Sequence, residues 1–285
     1  MKLVLGSASW RALYGPFSKH LMTDKQIGDL VVSAALLGFD FIDTAPTYGD
    51  VEEALGRVKP KLRIATKVTV DPSDYSSIQK SIDLSRKKFG IESLDLVFVH
   101  NWDTLSASEK YISVEVLQKC ILEQSIKKWG FSTYDVSELK KLKEYGWTNL
   151  TVQINSNILD QRLLDIDTKF WRKVFEDQGI KIWMRSVFLQ GVLLDESLKN
   201  PFISHPDIIN YHSICSEHNF SPLELCLAYT RQIAIVDRIV IGIENDHQLA
   251  EITNALQVKV SNIDFRIPES KDNRLIDPRL WEIGK

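Results

Sequence analysis

One pattern limits what this chain can fold into: short apolar runs alternate with longer amphipathic stretches from one end to the other. The apolar runs are Leu3–Leu5, Phe41–Ile42, Leu62–Ala65, Leu94–Val99, Lys128–Phe131, Thr151–Ile154, Ile182–Met184 and Arg238–Ile241. Several are β-branched, and their brevity suits parallel strands covered on both faces. Helix signals fill the intervals. Thr23 with Gln26, Asp135 with Glu138, Ser221 with Glu224, and Asn245 with Gln248 read as N-caps with a partner three residues on. Ile27–Leu37, Ile78–Phe89 and Leu223–Ile233 carry apolar residues at helical spacing. Eight such units in 285 residues average roughly 35 residues each, the size of a βα repeat. A doubly wound sheet also produces this alternation. The number of strands and the placement of polar residues favour a single α/β (β/α)8 TIM barrel over residues 1–285. The stretch 260–285 is then a C-terminal extension, expected to fold over the barrel mouth.

Composition narrows the function classes. Hydrophobic residues make up 44% and charged residues 26%, an ordinary globular balance. Lys and Arg total 35 against 38 Asp and Glu, a net charge of −3, so the basic surplus of a nucleic-acid binder is missing. No apolar run approaches the roughly 18 residues of a membrane span, and Met1–Gly6 is too short for a signal-peptide core. We therefore expect a soluble cytoplasmic protein with no membrane partner. Cys120, Cys215 and Cys226 are odd in number and widely spaced, which suits buried small hydrophobes. His20, His205, His212, His218 and His247 are scattered, with no metal-ligand spacing, and no metal site is expected.

The chemistry collects where apolar runs end, which in an α/β barrel is the active-site face. Asp43 follows Phe41-Ile42, Lys67 follows Ile64-Ala65-Thr66, and His100 follows Leu96–Val99. Each alone has a plain reading as a cap, a snorkelling lysine or a structural histidine. Three on consecutive strands converge on one pocket, because sequential parallel strands are usually neighbours. Tyr48 lies five residues past Asp43, where the loop can return it to the mouth. A phenol with a pKa of about 10 exchanges protons poorly near neutrality. An adjacent ammonium lowers that value, and Lys67, held by Asp43, is the expected source. His100 is placed to orient a carbonyl oxygen.

The segment Phe41-Ile42-Asp43-Thr44-Ala45-Pro46-Thr47-Tyr48-Gly49 resembles the signature of the aldo-keto reductase superfamily, as do Ala65-Thr66-Lys67 and Val99-His100-Asn101-Trp102. The likeness runs through Gly130-Phe131-Ser132, Gln153, Gln190-Gly191 and Ile241-Gly242, from about Leu3 to Leu256. The resemblance implies a TIM barrel that binds NADP or NAD without a Rossmann motif, and the chain has no G-x-G-x-x-G. It implies Tyr48 as acid/base, Lys67 and Asp43 as its support, and His100 as the group that orients the carbonyl. It also implies carboxamide contacts at Ser132 and Gln153, with Thr133 where the family has Asn. Arg185 falls where family members stack an aromatic on the nicotinamide. It can stack, serve the cofactor pyrophosphate or grip an acidic substrate. Ser186, Gln190, Gly242, Glu244, Asn245 and Gln248 complete the expected cofactor contacts. Glu244 stands where a cation for the NADP 2′-phosphate is expected, which favours NAD(H).

Trp10 and Trp102, with Tyr48 and His100, are the expected substrate contacts. Tyr14 and Phe188 are further candidates near the mouth. The stretches Arg185–Gly191 and Ile276–Trp281 resemble aldo-keto reductases of bacterial surface-sugar pathways. A sugar or sugar-derived carbonyl is the expected substrate, within carbohydrate metabolism. Family likeness implies a monomer or homodimer. Two other readings compete: a Schiff-base lyase using Lys67, and a nucleotide-binding regulatory subunit without turnover.

Overall fold

The computed structural model describes residues 2–17, 21–261 and 263–281. His20 and the last four residues of the extension lie outside them. Eight parallel strands close into a barrel in sequence order. They are β1 (Lys2–Gly6), β2 (Phe41–Asp43), β3 (Arg63–Val68), β4 (Leu96–Val99), β5 (Trp129–Thr133), β6 (Thr151–Asn155), β7 (Lys181–Arg185) and β8 (Val236–Gly242). Pairing of β1 with β8, from Lys2↔Arg238 to Gly6↔Gly242, completes the ring. All eight expected apolar runs are strands, with ends moved by at most three residues. The expected (β/α)8 barrel is the fold found.

The helices are α1 (Asp24–Leu36), α2 (Val51–Val58), α3 (Ser76–Phe89), α4 (Ala107–Leu122), α5 (Ser137–Tyr145), α6 (Lys169–Gln178), α7 (Pro206–Glu217), α8 (Pro222–Thr230), α9 (Asp246–Ala255) and α10 (Asn273–Ile276). Thr23 and Ser221 form the capping boxes expected for α1 and α8. Asn245 caps α9, accepting from the Gln248 N–H, but the Gln248 side chain turns to the Glu244 N–H instead of completing a box. The expected cap at Asp135 is corrected by one residue: Val136 is the N-cap and α5 begins at Ser137, whose N–H the Asp135 carboxylate accepts at 2.8 Å. Glu138 is buried and serves other groups. A box at Ser106 and Glu109 starts α4 and went unnoticed in the sequence. The three cysteines are free and buried. Among the described residues, no helix is long and apolar enough to cross a membrane.

Side chains alternate across a strand, so every second residue faces the barrel axis. Val4, Phe41, Ala65, Leu96, Phe98 and Trp183 fill the middle of the barrel. The Trp183 ring meets Phe41 and Phe98 edge-on at 5.0 and 5.5 Å. Gly130 leaves room for Phe98, since a Cβ there would lie 2.9 Å from that ring and 2.0 Å from the Thr151 carbonyl oxygen. Below this layer the barrel is closed by Asp40, which binds Arg63 at 2.7 Å and Arg238 at 2.6 Å. Both guanidinium groups lie over the Phe41 ring. An aromatic plug thus forms the floor for whatever the strands present one step higher.

The chain after α9 lies outside the barrel and packs across its C-terminal end. The Ser270 N–H donates to the Leu159 carbonyl at 2.9 Å, and Gln161 Nε2 donates to the Phe265 carbonyl. Arg279 reaches Asp103 in the loop after β4 at 3.0 Å.

Candidate active site

One step above the plug the inward positions turn polar. Asp43 follows Phe41 on β2, Lys67 follows Ala65 on β3, His100 follows Phe98 just past β4, and Arg185 follows Trp183 on β7. Lys67 Nζ donates to both Asp43 oxygens at 2.9 and 2.8 Å and to the Thr44 carbonyl at 3.0 Å. The two side chains keep only 2% and 7% of their surface exposed. Gln153 Nε2 crosses from β6 to donate to Asp43 Oδ1 at 2.7 Å. Burial pulls the Lys67 pKa down, and the Asp43 carboxylate, pulling it up, offsets only part of this.

Tyr48 and His100 stand over this pair. Their rings meet edge-on with centroids 6.3 Å apart, and Lys67 Nζ lies 4.9 Å from the Tyr48 ring centre. The structure therefore brings Asp43, Tyr48, Lys67 and His100 together, as their spacing suggests. The three contacts of the Lys67 ammonium go to Asp43 and Thr44, and it meets Tyr48 only over the ring. Burial, followed by the Asp43 charge, pushes the Tyr48 pKa up, and the cation that opposes this is Arg185. Burial and the charges of Lys67 and Arg185 push His100 down to about 4, so its imidazole is neutral at physiological pH.

The ring of polar groups continues on β5 and β6. Ser132 faces inward, two residues after Gly130, and its hydroxyl makes no hydrogen bond among the described residues. Gln153 Oε1 and, one inward step further, Asn155 Oδ1 are buried acceptors without a partner. Asn155 was missed in the sequence, although the alternation of β6 places it on the same face as Gln153. A hydroxyl and two unpartnered amide oxygens fit a group with its own N–H donors, such as a nicotinamide carboxamide. Thr133 does not belong to this set, which corrects its assignment as a cofactor contact. Alternation turns it outward, where its hydroxyl donates to Asp103 and accepts from the Asp135 N–H at 2.9 Å.

The two tryptophans expected to touch substrate are also corrected. Trp10 has no exposed surface, and its indole N–H donates to the Ile243 carbonyl at 2.8 Å. Trp102 is equally buried, stacked on Phe131 at 4.2 Å and bonded to Glu138 at 2.7 Å. Both brace loops at the mouth. Tyr14 reaches the site in their place. It keeps 40% of its surface, but its hydroxyl lies among Tyr48, Tyr134 and Arg185, and burial followed by those phenols pushes it up to about 12.

The loop after β7 is held in an unusual backbone. Ser186, Leu189 and Gln190 have φ of 61°, 48° and 54°, the left-handed region that non-glycine residues rarely adopt. Such strain gathers where the surroundings force a functional geometry. Gln190 packs against Gly15, where a Cβ would lie 2.9 Å from its Oε1, so this loop meets the one after β1. At the rim, Gly242 ends β8 with open space on its Cβ side. Glu244, Asn245 and Gln248 lead into α9, where the Gln248 side chain accepts from the Glu244 N–H and the Asn245 side chain from the Gln248 N–H.

A parallel barrel with an acid/base constellation at the C-terminal ends of its strands defines a class of barrel enzyme site. The model of the Aldo/keto reductase family matches residues 2–273, and the chain belongs to that family. It is 26% identical over 202 residues to the methylglyoxal reductase YeaE of Escherichia coli, covering 68% of this chain and 66% of that one. It is 28% identical over 156 residues to the aldo-keto reductase yakc [NADP(+)] of Schizosaccharomyces pombe, covering 48% of this chain and 43% of that one. The matched segments thus span less than two thirds of either relative. Among solved structures, the aldo-keto reductase AKR11C1 of Bacillus halodurans in its holo form shares the fold, with a TM-score of 0.70. Identity there is 17%, over 94% of this chain and 90% of that one.

Removing one member of a buried ion pair leaves the other charge uncompensated. Lys67→Met is expected to lower unfolding free energy by about 3–5 kcal/mol, read from urea denaturation. A loss below about 1 kcal/mol would show that Gln153 alone satisfies Asp43.

Proposed function

We propose that this protein is a nicotinamide-dependent oxidoreductase that interconverts a carbonyl and an alcohol on a small molecule, with Tyr48 as general acid/base. The observation that carries this reading is the pairing of Tyr48 and His100 above a buried Asp43–Lys67 floor. The nicotinamide, when bound, supplies or accepts the hydride equivalent. Ser132, Gln153 and Asn155 would hold its carboxamide. His100, being neutral, offers a ring N–H to the carbonyl oxygen without a competing charge. Tyr48 gives its proton to that oxygen in reduction and takes one back in oxidation. Its raised pKa keeps the phenol protonated at neutral pH, the form that reduction requires. Burial of Asp43 and Lys67 excludes water beneath the reacting atoms.

The competing lyase reading needs a free amine at Lys67, and that amine's donors are all engaged. For the nucleotide, we propose NAD(H) at least as readily as NADP(H). No Lys or Arg occurs from Gly242 to Val258, whereas Glu244 and Asp246 flank the start of α9. A 2′-phosphate there would meet carboxylates, and a ribose hydroxyl could donate to one. A sugar or sugar-derived carbonyl, a cytoplasmic setting and a monomer or homodimer complete the proposal.

Tyr48→Phe removes only the proton donor. It is expected to lower turnover of methylglyoxal at least about 100-fold. Titrations with NADH and NADPH, read by tryptophan fluorescence, should show unchanged affinity in the variant, with NADH bound at least as tightly as NADPH. Retention of most activity would remove Tyr48 from its role, and a clear NADPH preference would contradict the reading of Glu244. A binding protein without turnover would show titration and no reduction even in the native chain.

Because His100 is pushed down and Tyr48 up, neither titrates in the middle of the pH range. The reductive kcat/KM is expected to vary by less than about twofold from about pH 5.5 to 9. An inflection near 6.5, the ordinary histidine value, would show a charged His100 in the working enzyme.

A further inference from the structure

The strongest unassigned feature is a cation with no counterion at the reacting end of the barrel. Arg185 faces the axis from the end of β7, with Asn155 beside it in register on β6. Among the described residues, no carboxylate lies within ion-pair distance of it. The other guanidinium groups that flank the axis each have a carboxylate partner: Arg63 and Arg238 share Asp40. Arg185 Nε is buried without a partner, and its Nη1 makes one long contact, 3.4 Å, to the Ser186 hydroxyl. A buried guanidinium with unmatched donors is costly unless something completes it.

Its position is fixed by an aromatic support. The guanidinium carbon lies 4.2 Å from the centre of the Tyr134 ring. Arg279, from the C-terminal extension, lies 3.8 Å from the same centre. The two arginines differ in one respect. Arg279 is bound by Asp277 at 2.7 Å and Asp103 at 3.0 Å, so it acts as a clamp on Tyr134. Arg185 keeps its charge uncompensated. That charge acts on Tyr48, Tyr14 and His100, so Arg185 belongs to the same cluster as the proposed acid/base.

From this geometry we propose that Arg185 is a specificity-determining residue that binds an oxyanion carried by the substrate, so that the natural substrate is an anionic carbonyl compound, either a carboxylate or a phosphate ester. This rests on the carbonyl reductase reading and names its substrate class. A planar guanidinium matches either oxyanion with two parallel hydrogen bonds. Tyr134 holds the fork in place, which lowers the entropy lost on binding. Within the sugar reading, a sugar acid or sugar phosphate satisfies both.

The test compares matched carbonyl pairs: glyoxylate against methylglyoxal, and glyceraldehyde 3-phosphate against glyceraldehyde. The native enzyme is expected to favour the anionic member of at least one pair, and which pair identifies carboxylate or phosphate. In Arg185→Met the anionic-to-neutral ratio of kcat/KM should fall at least about tenfold, with part restored in Arg185→Lys. A readout without turnover accompanies it: the affinity for oxalate and for inorganic phosphate, by tryptophan fluorescence, should weaken in Arg185→Met by a similar factor. An unchanged far-ultraviolet circular dichroism spectrum shows that the variant is folded. An unchanged ratio and unchanged oxalate and phosphate affinity would overturn the proposal. So would an unchanged ratio with NADH binding lost, which would assign Arg185 to the nucleotide. Failure of the two readings is distinguishable. Oxalate binding through Arg185 without any carbonyl turnover would refute the reductase reading and leave the anion site. Reduction of neutral carbonyls with no dependence on Arg185 charge would do the reverse.

Discussion

The contact between Lys67 and Asp43 is the interaction on which the rest of the site depends. It joins the ends of β2 and β3, and Gln153 extends it across the barrel to β6. Burying two charges is expensive, and a hydrophobic pair of similar volume is often as stable or more so. The pair therefore makes better sense as a fixed electrostatic floor than as a source of stability. Its geometry depends on the aromatic layer below, where Phe41, Phe98 and Trp183 fill the axis and keep water out. It also explains why Tyr48 and His100 are neutral in the resting site. Burial and the Asp43 charge keep the Tyr48 phenol protonated, while burial and the charges of Lys67 and Arg185 keep the His100 imidazole neutral.

That neutrality gives Arg185 its importance. In the sequence it reads as a group that could stack on the nicotinamide, serve the cofactor pyrophosphate or grip an acidic substrate. In the structure it is the cation that opposes the upward push on Tyr48, and it has no carboxylate of its own. An oxyanion bound there would remove this opposition and leave Tyr48 more firmly protonated. Substrate charge and the protonation of the acid are in this way coupled through one guanidinium. The C-terminal extension takes part through Arg279 and Tyr134, so a segment outside the barrel repeat helps shape its active end.

The periodic features were readable without coordinates. Strand runs such as Thr151–Ile154 and caps such as Thr23 and Ser221 rest on local patterns, and local patterns survive folding. Asp43, Lys67 and His100 were readable because barrel topology converts "end of an apolar run" into a shared location. What failed depends on direction. Trp10 and Trp102 follow strands just as His100 does, but their indoles turn away and brace loops through Ile243 and Glu138. Thr133 lies next to Ser132, and one residue on a strand exchanges the inside for the outside. Asn155 was overlooked for the same reason, since its place on the inner face follows only once the phase of β6 is known. No sequence pattern shows, either, that the Thr44 carbonyl takes one of the Lys67 contacts.

The central claim is that this mouth moves hydride between a nicotinamide and a carbonyl carbon. The most direct measurement supplies NADH or NADPH with deuterium at both C4 positions, together with methylglyoxal, and determines the mass and label position of the alcohol formed. The account predicts one deuterium on the reduced carbon, with the hydroxyl proton drawn from water through Tyr48. An alcohol whose reduced carbon carries hydrogen from the solvent, or no alcohol at all from either nucleotide, would contradict it.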